Sequence, residues 1–376
     1  MTRYKVVDTG RGIAIFGMVV AHMLNWWLTE QDFWFYTFFG IWVASAGAVG
    51  FLFISGASAT LSLKRRTMEL KKGDKFFFHL IRRVYFLRAL LLLGVALIYN
   101  TIIAIMVGDF IWIWAWNILQ AIAISLFLTW PFIKTSKIFR IIVGIIVLVV
   151  NELILAFLLP YQGQVNFYGI LFYILYNPIE YYILLPYFSM FLLGTVLGDI
   201  LHDLGQIEDP QERKGAFRSH LIITLILGPT LMIAGIFIIP DFERHASIAS
   251  VTYGLGLLLV FYTVLMYYDI FEPIKLKKEH RFLYFYNYYS FTIYLGHNVI
   301  FFLFYRQFTV ITIWIPMIIT MIIISLIVIF LYKKLGAKAS LKAGLSVVSF
   351  FLATNKEQRR RLMILSKARS AARKKQ

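Results

Sequence analysis

Two histidines in apolar runs are the residues of this 376-residue sequence best placed to do chemistry. His22 lies in the run that begins at Gly12, and His297 lies in a late run over residues 287–305. An ionisable side chain in a bilayer is costly unless it has a polar partner or water. Imidazole is also well suited to general-base catalysis near neutral pH. A buried histidine is more often structural, but the pair predicts a shared polar site.

The two histidines are predicted to lie at similar depth. His22 follows Gly12 by ten residues, or roughly 15 Å of helix at about 1.5 Å per residue. His297 follows Asn287 by ten residues, in a run that crosses in the same direction. We therefore expect the two side chains to meet on parallel helices, and the sequence leaves open which of them is the base.

Further polar side chains in the predicted spans could orient a substrate or stabilise a developing negative charge. Amides and hydroxyls suit that role because they donate hydrogen bonds to an oxyanion. The candidates are Asn25, Gln120, Ser290, Tyr294 and Asn298.

Basic residues near the starts of two spans predict a phosphate-binding site. Arg82, Arg83 and Arg88 follow one another into the third apolar run, and Arg11 opens the first. A guanidinium as deep as Arg88 suits a phosphate-bearing ligand, whereas Arg82 and Arg83 are also typical of a helix start. Asp8 is predicted to pair with Arg11 and position the first helix.

Several kinds of chemistry lack support in the sequence. There is no cysteine, no Walker loop, no His-x-x-x-His motif and no carboxylate pair within a span. These absences argue against thiol nucleophiles, ATP-driven transport and metal hydrolysis, so no metal site is predicted.

The composition predicts an all-α polytopic membrane protein. The chain is 60% hydrophobic, its mean hydropathy is +0.76, and apolar runs of spanning length recur along it. Ten spans are predicted, at residues 12–28, 38–62, 83–106, 115–133, 139–159, 183–201, 220–239, 248–270, 287–305 and 310–332. They form a domain over residues 1–335, followed by a basic interfacial and cytoplasmic tail over residues 336–376.

The distribution of charge predicts the orientation. Lysines and arginines fill alternate loops, and the other loops are poor in them, which places both termini in the cytoplasm. The net charge of +18 is therefore a topology signal rather than a sign of nucleic-acid binding. Residues 340–354 are predicted to lie in the interface, and the basic residues 356–376 are predicted to contact anionic lipid of the cell membrane.

Four motifs in chain order resemble those of the heparan-α-glucosaminide N-acetyltransferase family. They are RYKVVDTGRGIAIFGMVVAHML at the first span, GFLFISGASATLS at the second, NILQAIAIS at the fourth and SFTIYLGHNVIFFLF at the ninth. One position departs from the family, because an asparagine is expected in the place of His22. Histidine there, with ten residues between Arg11 and His22, is more similar to the related acyltransferase type 3 proteins.

The resemblance implies a membrane acyltransferase. It would take an acetyl group from cytoplasmic acetyl-CoA and give it to an amine or hydroxyl of a glycan or other acceptor on the outer side. The four arginines would hold the coenzyme, His22 or His297 would be the base, and an acyl-histidine intermediate stays open. A transporter or flippase for a polar solute or glycolipid is the alternative, and assembly into a homodimer also stays open.

Overall fold

The computed structural model describes residues 5–68, 75–176, 184–237, 247–271 and 281–359. Within these ranges the regular secondary structure is helical, apart from an isolated β-bridge between Leu28 and Phe308. The α-helices are α1 (Lys5–Trp27), α2 (Phe33–Phe39), α3 (Ser45–Met68), α4 (Lys75–Val107), α5 (Ile118–Thr129), α6 (Lys137–Leu158), α7 (Phe167–Leu175), α8 (Leu184–Gln206), α9 (Pro210–Phe237), α10 (Ile248–Phe271), α11 (Arg281–Tyr288), α12 (Ser290–Gly296), α13 (Trp314–Lys334) and α14 (Leu341–Ala353).

Nine helical segments in the described ranges are long and apolar enough to cross a membrane. They include α1, α3, α4, α6, α8, α9, α10 and α13, together with the segment Phe110–Thr129, in which a 3₁₀ turn precedes α5. The predicted class, an all-α polytopic membrane protein, is confirmed.

The predicted ninth span differs from a continuous helix. It is divided into α11, α12 and the 3₁₀ helix His297–Phe302, with a break at Tyr289 (φ −100°, ψ 15°). The Tyr289 side chain is buried, and its hydroxyl donates a hydrogen bond of 2.7 Å to the carbonyl of Gly336. Hydropathy alone missed the break because the run over residues 287–305 contains no charged residue and no proline that would mark it.

Glycines set the spacing of the helices around the candidate site. A Cβ atom at Gly56 of α3 would lie 1.9 Å from the Phe191 carbonyl oxygen of α8, and one at Gly194 would lie 1.8 Å from that of Phe53. These helices therefore pack backbone to backbone, which glycine at the crossing permits. Gly12 of α1 approaches α11 in the same way, because its Cβ would lie 2.2 Å from the Leu283 carbonyl oxygen.

A buried ionic cluster joins α3, α6 and α8 at the end of the bundle where α1 begins, which we call the basic end. Arg140 is 1% exposed and donates to Asp199, and to the Thr195 hydroxyl at 2.8 Å. Lys64 of α3 lies 2.6 Å from the other oxygen of Asp199. Because a buried charge must be paired, this cluster fixes the part of α3 that leads to Arg65 and Arg66.

The segment predicted to lie in the interface forms α14. Ser340 caps the helix by accepting a hydrogen bond from the Ala343 amide, and its hydroxyl donates to the Tyr288 carbonyl at 3.0 Å. Helix α14 packs against α4 and α12. The boundary at residue 335 and the lipid contacts of the tail stay predictions, and residues 360–376 lie outside the described ranges.

Candidate active site

The two histidines predicted to share a site are neighbours. The ring centroids of His22 on α1 and His297 lie 4.8 Å apart, with the ring planes tilted by 46°. His297 is 6% exposed and His22 is half-buried. Their predicted common depth is therefore confirmed by direct contact between the rings.

The indole of Trp26 stacks on both imidazoles. Its ring centroid lies 4.7 Å from that of His22 and 5.7 Å from that of His297, at interplanar angles of 28° and 18°. Trp26 is on α1, one helical turn after His22. An aromatic face in this position holds both rings and attracts an imidazolium when one forms.

The backbone around His297 determines which ring nitrogen can act as a base. The Nδ1 atom of His297 is hydrogen-bonded to the carbonyl oxygen of Tyr294, and a carbonyl oxygen can only accept. Nδ1 must therefore carry the hydrogen, which leaves Nε2 of the neutral ring as the acceptor. The 3₁₀ helix that begins at His297 is held to α1 by the Trp27 indole, which donates to the Ile300 carbonyl at 2.9 Å.

Two of the predicted oxyanion donors lie beside the histidine pair. The Tyr294 ring centroid is 5.6 Å from that of His297, and the Asn298 amide donates to the hydroxyl of Tyr99 on α4. Sequence analysis missed Tyr99, since a tyrosine in an apolar run has no distinguishing signal. Ser290 is buried one turn before Tyr294, facing a cavity described below.

The other two predicted donors have different surroundings. Gln120 is fully buried and accepts from Asn100 at 3.3 Å, while Asn117 donates to Asn100 at 2.6 Å and caps α5. This amide network joins α4 to α5 rather than lining the cavity. Asn25 is half-buried, and its side chain makes no hydrogen bond to the described residues.

A cavity leads from the basic end of the bundle toward the histidine pair. Its narrow inner part measures about 180 Å³ and is lined by apolar residues of α4 and α5 and by Ser290 and Tyr294. Its wider outer part measures about 580 Å³. The two parts share a junction lined by Ser58, Ser62, Arg66, Arg88 and Lys342.

Cations dominate the junction and its surroundings. Arg11 lines the inner part and Arg65 the outer part, in addition to the three cations of the junction. In the described part of the chain, Arg11, Arg88 and Lys342 are half-buried and make no salt bridge. Uncompensated positive charge in partly desolvated surroundings is costly, and an anionic ligand with several charges would relieve that cost.

The predicted phosphate-binding arginines divide into two groups. Arg11 and Arg88 line the inner cavity, whereas Arg82 and Arg83 are exposed and line neither part. Sequence analysis missed Arg66 and Lys342, because charges close to a span end or in a tail fit the topology pattern equally well.

Asp8 and Arg11, which are predicted to pair, attract each other electrostatically, and each also makes a hydrogen bond to another helix. Arg11 donates to the Ser58 hydroxyl of α3 at 2.7 Å. Asp8 accepts from the Asn287 amide of α11 at 2.7 Å. The two side chains therefore join α1 to two different neighbours.

This arrangement defines a class of protein: a multi-pass membrane protein with a polycation-lined cavity that ends near a histidine pair. The chain belongs to the family described as heparan-alpha-glucosaminide N-acetyltransferase, catalytic, whose model matches residues 3–237. No individual curated protein matches the chain. The protein is therefore a membrane-bound acyltransferase of this family, and the relation to acyltransferase type 3 proteins stays a prediction.

The family match covers only one side of the candidate site. It includes α1, α3, α4 and α5, and therefore His22, Arg11, Arg66 and Arg88. It ends before the 3₁₀ helix that begins at His297 and before α14, which carries Lys342. The structure places Lys342 in the cavity wall with Arg11, Arg66 and Arg88, and it places His297 beside His22.

Proposed function

We propose that the protein transfers an acetyl group from acetyl-CoA, bound at the basic end, to an amine or hydroxyl of a glycan or other acceptor. The acceptor reaches the histidine pair from the opposite end of the bundle. The observation that carries this proposal is the cavity, which extends from a cluster of cations to Tyr294, whose ring adjoins that of His297 in the histidine pair. By the positive-inside rule the donor is cytoplasmic, and we assign the protein to the cell membrane.

Each part of the donor meets a suitable part of the cavity. Arg11, Arg66 and Arg88 bind phosphate oxygens through charge-assisted hydrogen bonds. The narrow inner part, lined by residues such as Leu92 and Ile122, accommodates the uncharged pantetheine arm. The thioester then lies near Tyr294, whose ring adjoins His297.

In the transfer step, the acceptor nitrogen or oxygen attacks the thioester carbonyl carbon. His297 Nε2 takes the proton of the acceptor as the new C–N or C–O bond forms. The amide of Asn298 or the hydroxyl of Tyr294 stabilises the oxyanion of the tetrahedral intermediate. The C–S bond then breaks, and the thiolate leaves and receives the proton from the imidazolium. His22 adjoins this ring and is the residue that would carry the acyl group in a two-step route.

The test of this function is acyl transfer by the purified protein. Radiolabelled acetyl-CoA is supplied with amino sugars or other candidate acceptors, and thiol release is followed in parallel against a control without protein. Labelled acceptor with equimolar thiol supports the proposal, and label retained on the protein without acceptor supports the two-step route. Absence of both binding and thiol release contradicts the use of acetyl-CoA.

One observation favours the transporter alternative enough to test it. The helix path α11–α12 is irregular at Tyr289, within the predicted ninth span, and transporters bind substrates at discontinuous helices. Reconstituted vesicles would then accumulate a solute or flip a glycolipid without any thiol release. Thiol release coupled to acceptor labelling distinguishes the enzyme from this alternative.

Trp26 provides a prediction about positioning. We expect Trp26→Ala to lower kcat by about tenfold to a hundredfold and to leave KM for the donor unchanged, because the indole orients both imidazoles without lining the cavity. Trp26→Phe keeps an aromatic face and should recover most of the rate. Steady-state kinetics of the three proteins decides this, and an increase in donor KM alone contradicts it.

A further inference from the structure

Lys342 is the cation of the cavity that comes from the C-terminal helix α14. It lines both the inner and the outer part, and its Nζ lies 3.4 Å from the Asn287 amide oxygen. The other cations at the junction, Arg66 and Arg88, come from α3 and α4, within the region of the family match. Lys342 therefore reaches the same space from an element outside that region.

The position of Lys342 is fixed by hydrogen bonds at the start of α14. The Leu341 amide donates to the Thr292 hydroxyl of α12 at 3.2 Å, and that hydroxyl donates to the Ala339 carbonyl at 3.2 Å. Together with the bond from Ser340 to α11, these contacts hold the beginning of the helix against the two helices that precede His297. Leu345 and Ser346 of α14 also line the cavity.

The cavity wall carries more positive charge than the carboxylates of the lining neutralise. Among the described residues, five cations line the two parts of the cavity, whereas Asp8 is the carboxylate that lines it. Burial, followed by the positive charges of Arg11 and Arg88, lowers the pKa of the Lys342 ammonium well below its usual value. The protonated form of Lys342 is costly in these surroundings, and a negatively charged ligand in the cavity would stabilise it.

We propose that Lys342 binds the pyrophosphate of the acyl-CoA donor, so that the C-terminal helix is part of the donor site. This inference rests on the proposed function. The pantetheine arm occupies the narrow part, and the pyrophosphate directly follows that arm, so it falls at the junction that Lys342 lines with Arg66 and Arg88. The adenosine and its ribose phosphate then lie in the wider outer part, close to Arg65.

The test measures donor affinity with three ligands that differ in their phosphates. Binding of CoA, 3′-dephospho-CoA and pantetheine to the detergent-solubilised full chain is measured by calorimetry for the parent protein, Lys342→Met, Lys342→Arg and Lys338→Met. Lys338 is the matched control, because it is exposed on the turn that precedes α14 and lines neither part of the cavity.

We expect Lys342→Met to lower the affinity for CoA and for 3′-dephospho-CoA by the same factor, about tenfold to a hundredfold, as is typical for loss of a charge-assisted hydrogen bond. Its affinity for pantetheine should match that of the parent, Lys342→Arg should recover most of the affinity for CoA, and Lys338→Met should behave as the parent. The melting temperature of ligand-free Lys342→Met should not fall, because the variant removes a half-buried charge that lies among other cations and makes no salt bridge to the described residues.

Each contrary outcome has a distinct meaning. If the parent binds CoA and Lys342→Met binds it equally well, the inference fails and the proposed function stands. A loss confined to CoA, with 3′-dephospho-CoA unaffected, overturns the assignment to the pyrophosphate. Equal loss of pantetheine, or a lower melting temperature, shows a structural role instead. If the parent binds none of the three ligands, the proposed function fails and the inference fails with it.

Discussion

The His297→Ala variant should bind the donor as tightly as the parent protein and transfer the acyl group at least a hundredfold more slowly. Removal of a general base typically costs two to four orders of magnitude in rate, or about 3–5 kcal/mol in the activation free energy. Donor binding should persist because His297 lines neither part of the cavity. Single-turnover thiol release and a direct binding measurement on the same preparation separate the two effects.

The two histidines of the pair should not be equivalent. His297 has its Nδ1 hydrogen committed to the Tyr294 carbonyl, so its Nε2 is always presented as the acceptor. The contacts that the structure gives His22 are ring contacts with Trp26 and His297, which do not select a tautomer. We therefore expect the larger loss from His297→Ala in a direct transfer. In the two-step route, His22→Ala should also abolish labelling of the protein.

His220→Ala is a suitable control for this series, because His220 lies on α9, away from the cavity. This variant should keep the activity of the parent. If His297→Ala transfers the acyl group within a fewfold of the parent rate, His297 is not the base. If the variant loses donor binding together with transfer, the site has collapsed.

The histidine pair could be predicted because depth in a membrane follows directly from residue count. A straight helix advances by about 1.5 Å per residue, so two positions ten residues beyond similar starts come to similar depths. The close approach of α3 and α8 likewise depends on residue size, since backbone contact requires glycine at the crossing. These features depend on one-dimensional distance or on residue size, and both can be read from sequence.

The direction in which a side chain points around the helix axis is harder to predict than its depth in the membrane. At roughly 100° per residue, Arg82 and Arg83 lie at least about 120° around α4 from Arg88, so the three cannot share one cavity. Packing with other helices decides which face of α4 points into the bundle. Hydropathy does not identify that face when a helix is apolar on all sides. Lys342 was missed for a related reason, because only tertiary packing brings α14 back against α4.

The break in the predicted ninth span also depends on tertiary contacts. The sequence from α11 through the 3₁₀ helix is apolar enough to read as one helix, and no proline marks the interruption. Tyr289 departs from α-helical dihedral angles, although it keeps its backbone hydrogen bonds to Phe285 and Ile293, and its hydroxyl bonds to Gly336, a residue 47 positions later in the chain. A partner so distant in sequence leaves no local signal.

Replacement of Gly12 by alanine should lower both stability and activity, although only one methyl group is added. The new Cβ would lie 2.2 Å from the Leu283 carbonyl oxygen and 2.9 Å from its carbonyl carbon, so the backbones of α1 and α11 must separate. Overpacking of this kind costs about 1–3 kcal/mol. Because α1 carries His22 and α11 leads to His297, a shift between the helices separates the two imidazoles, and misplacement by about 1 Å can cost a hundredfold in rate.

The matched control is Gly17→Ala, on the same helix and between Gly12 and His22. A Cβ at Gly17 meets nothing within 4 Å, so the same methyl group adds no clash there, and helix propensity favours alanine by about 1 kcal/mol. We expect Gly17→Ala to melt at the same temperature as the parent or higher, and to keep its kcat. Gly12→Ala should melt lower and turn over at least tenfold more slowly. Equal behaviour of the two variants in thermal unfolding and in transfer assays would mean that the contact between α1 and α11 does not hold the histidine pair together.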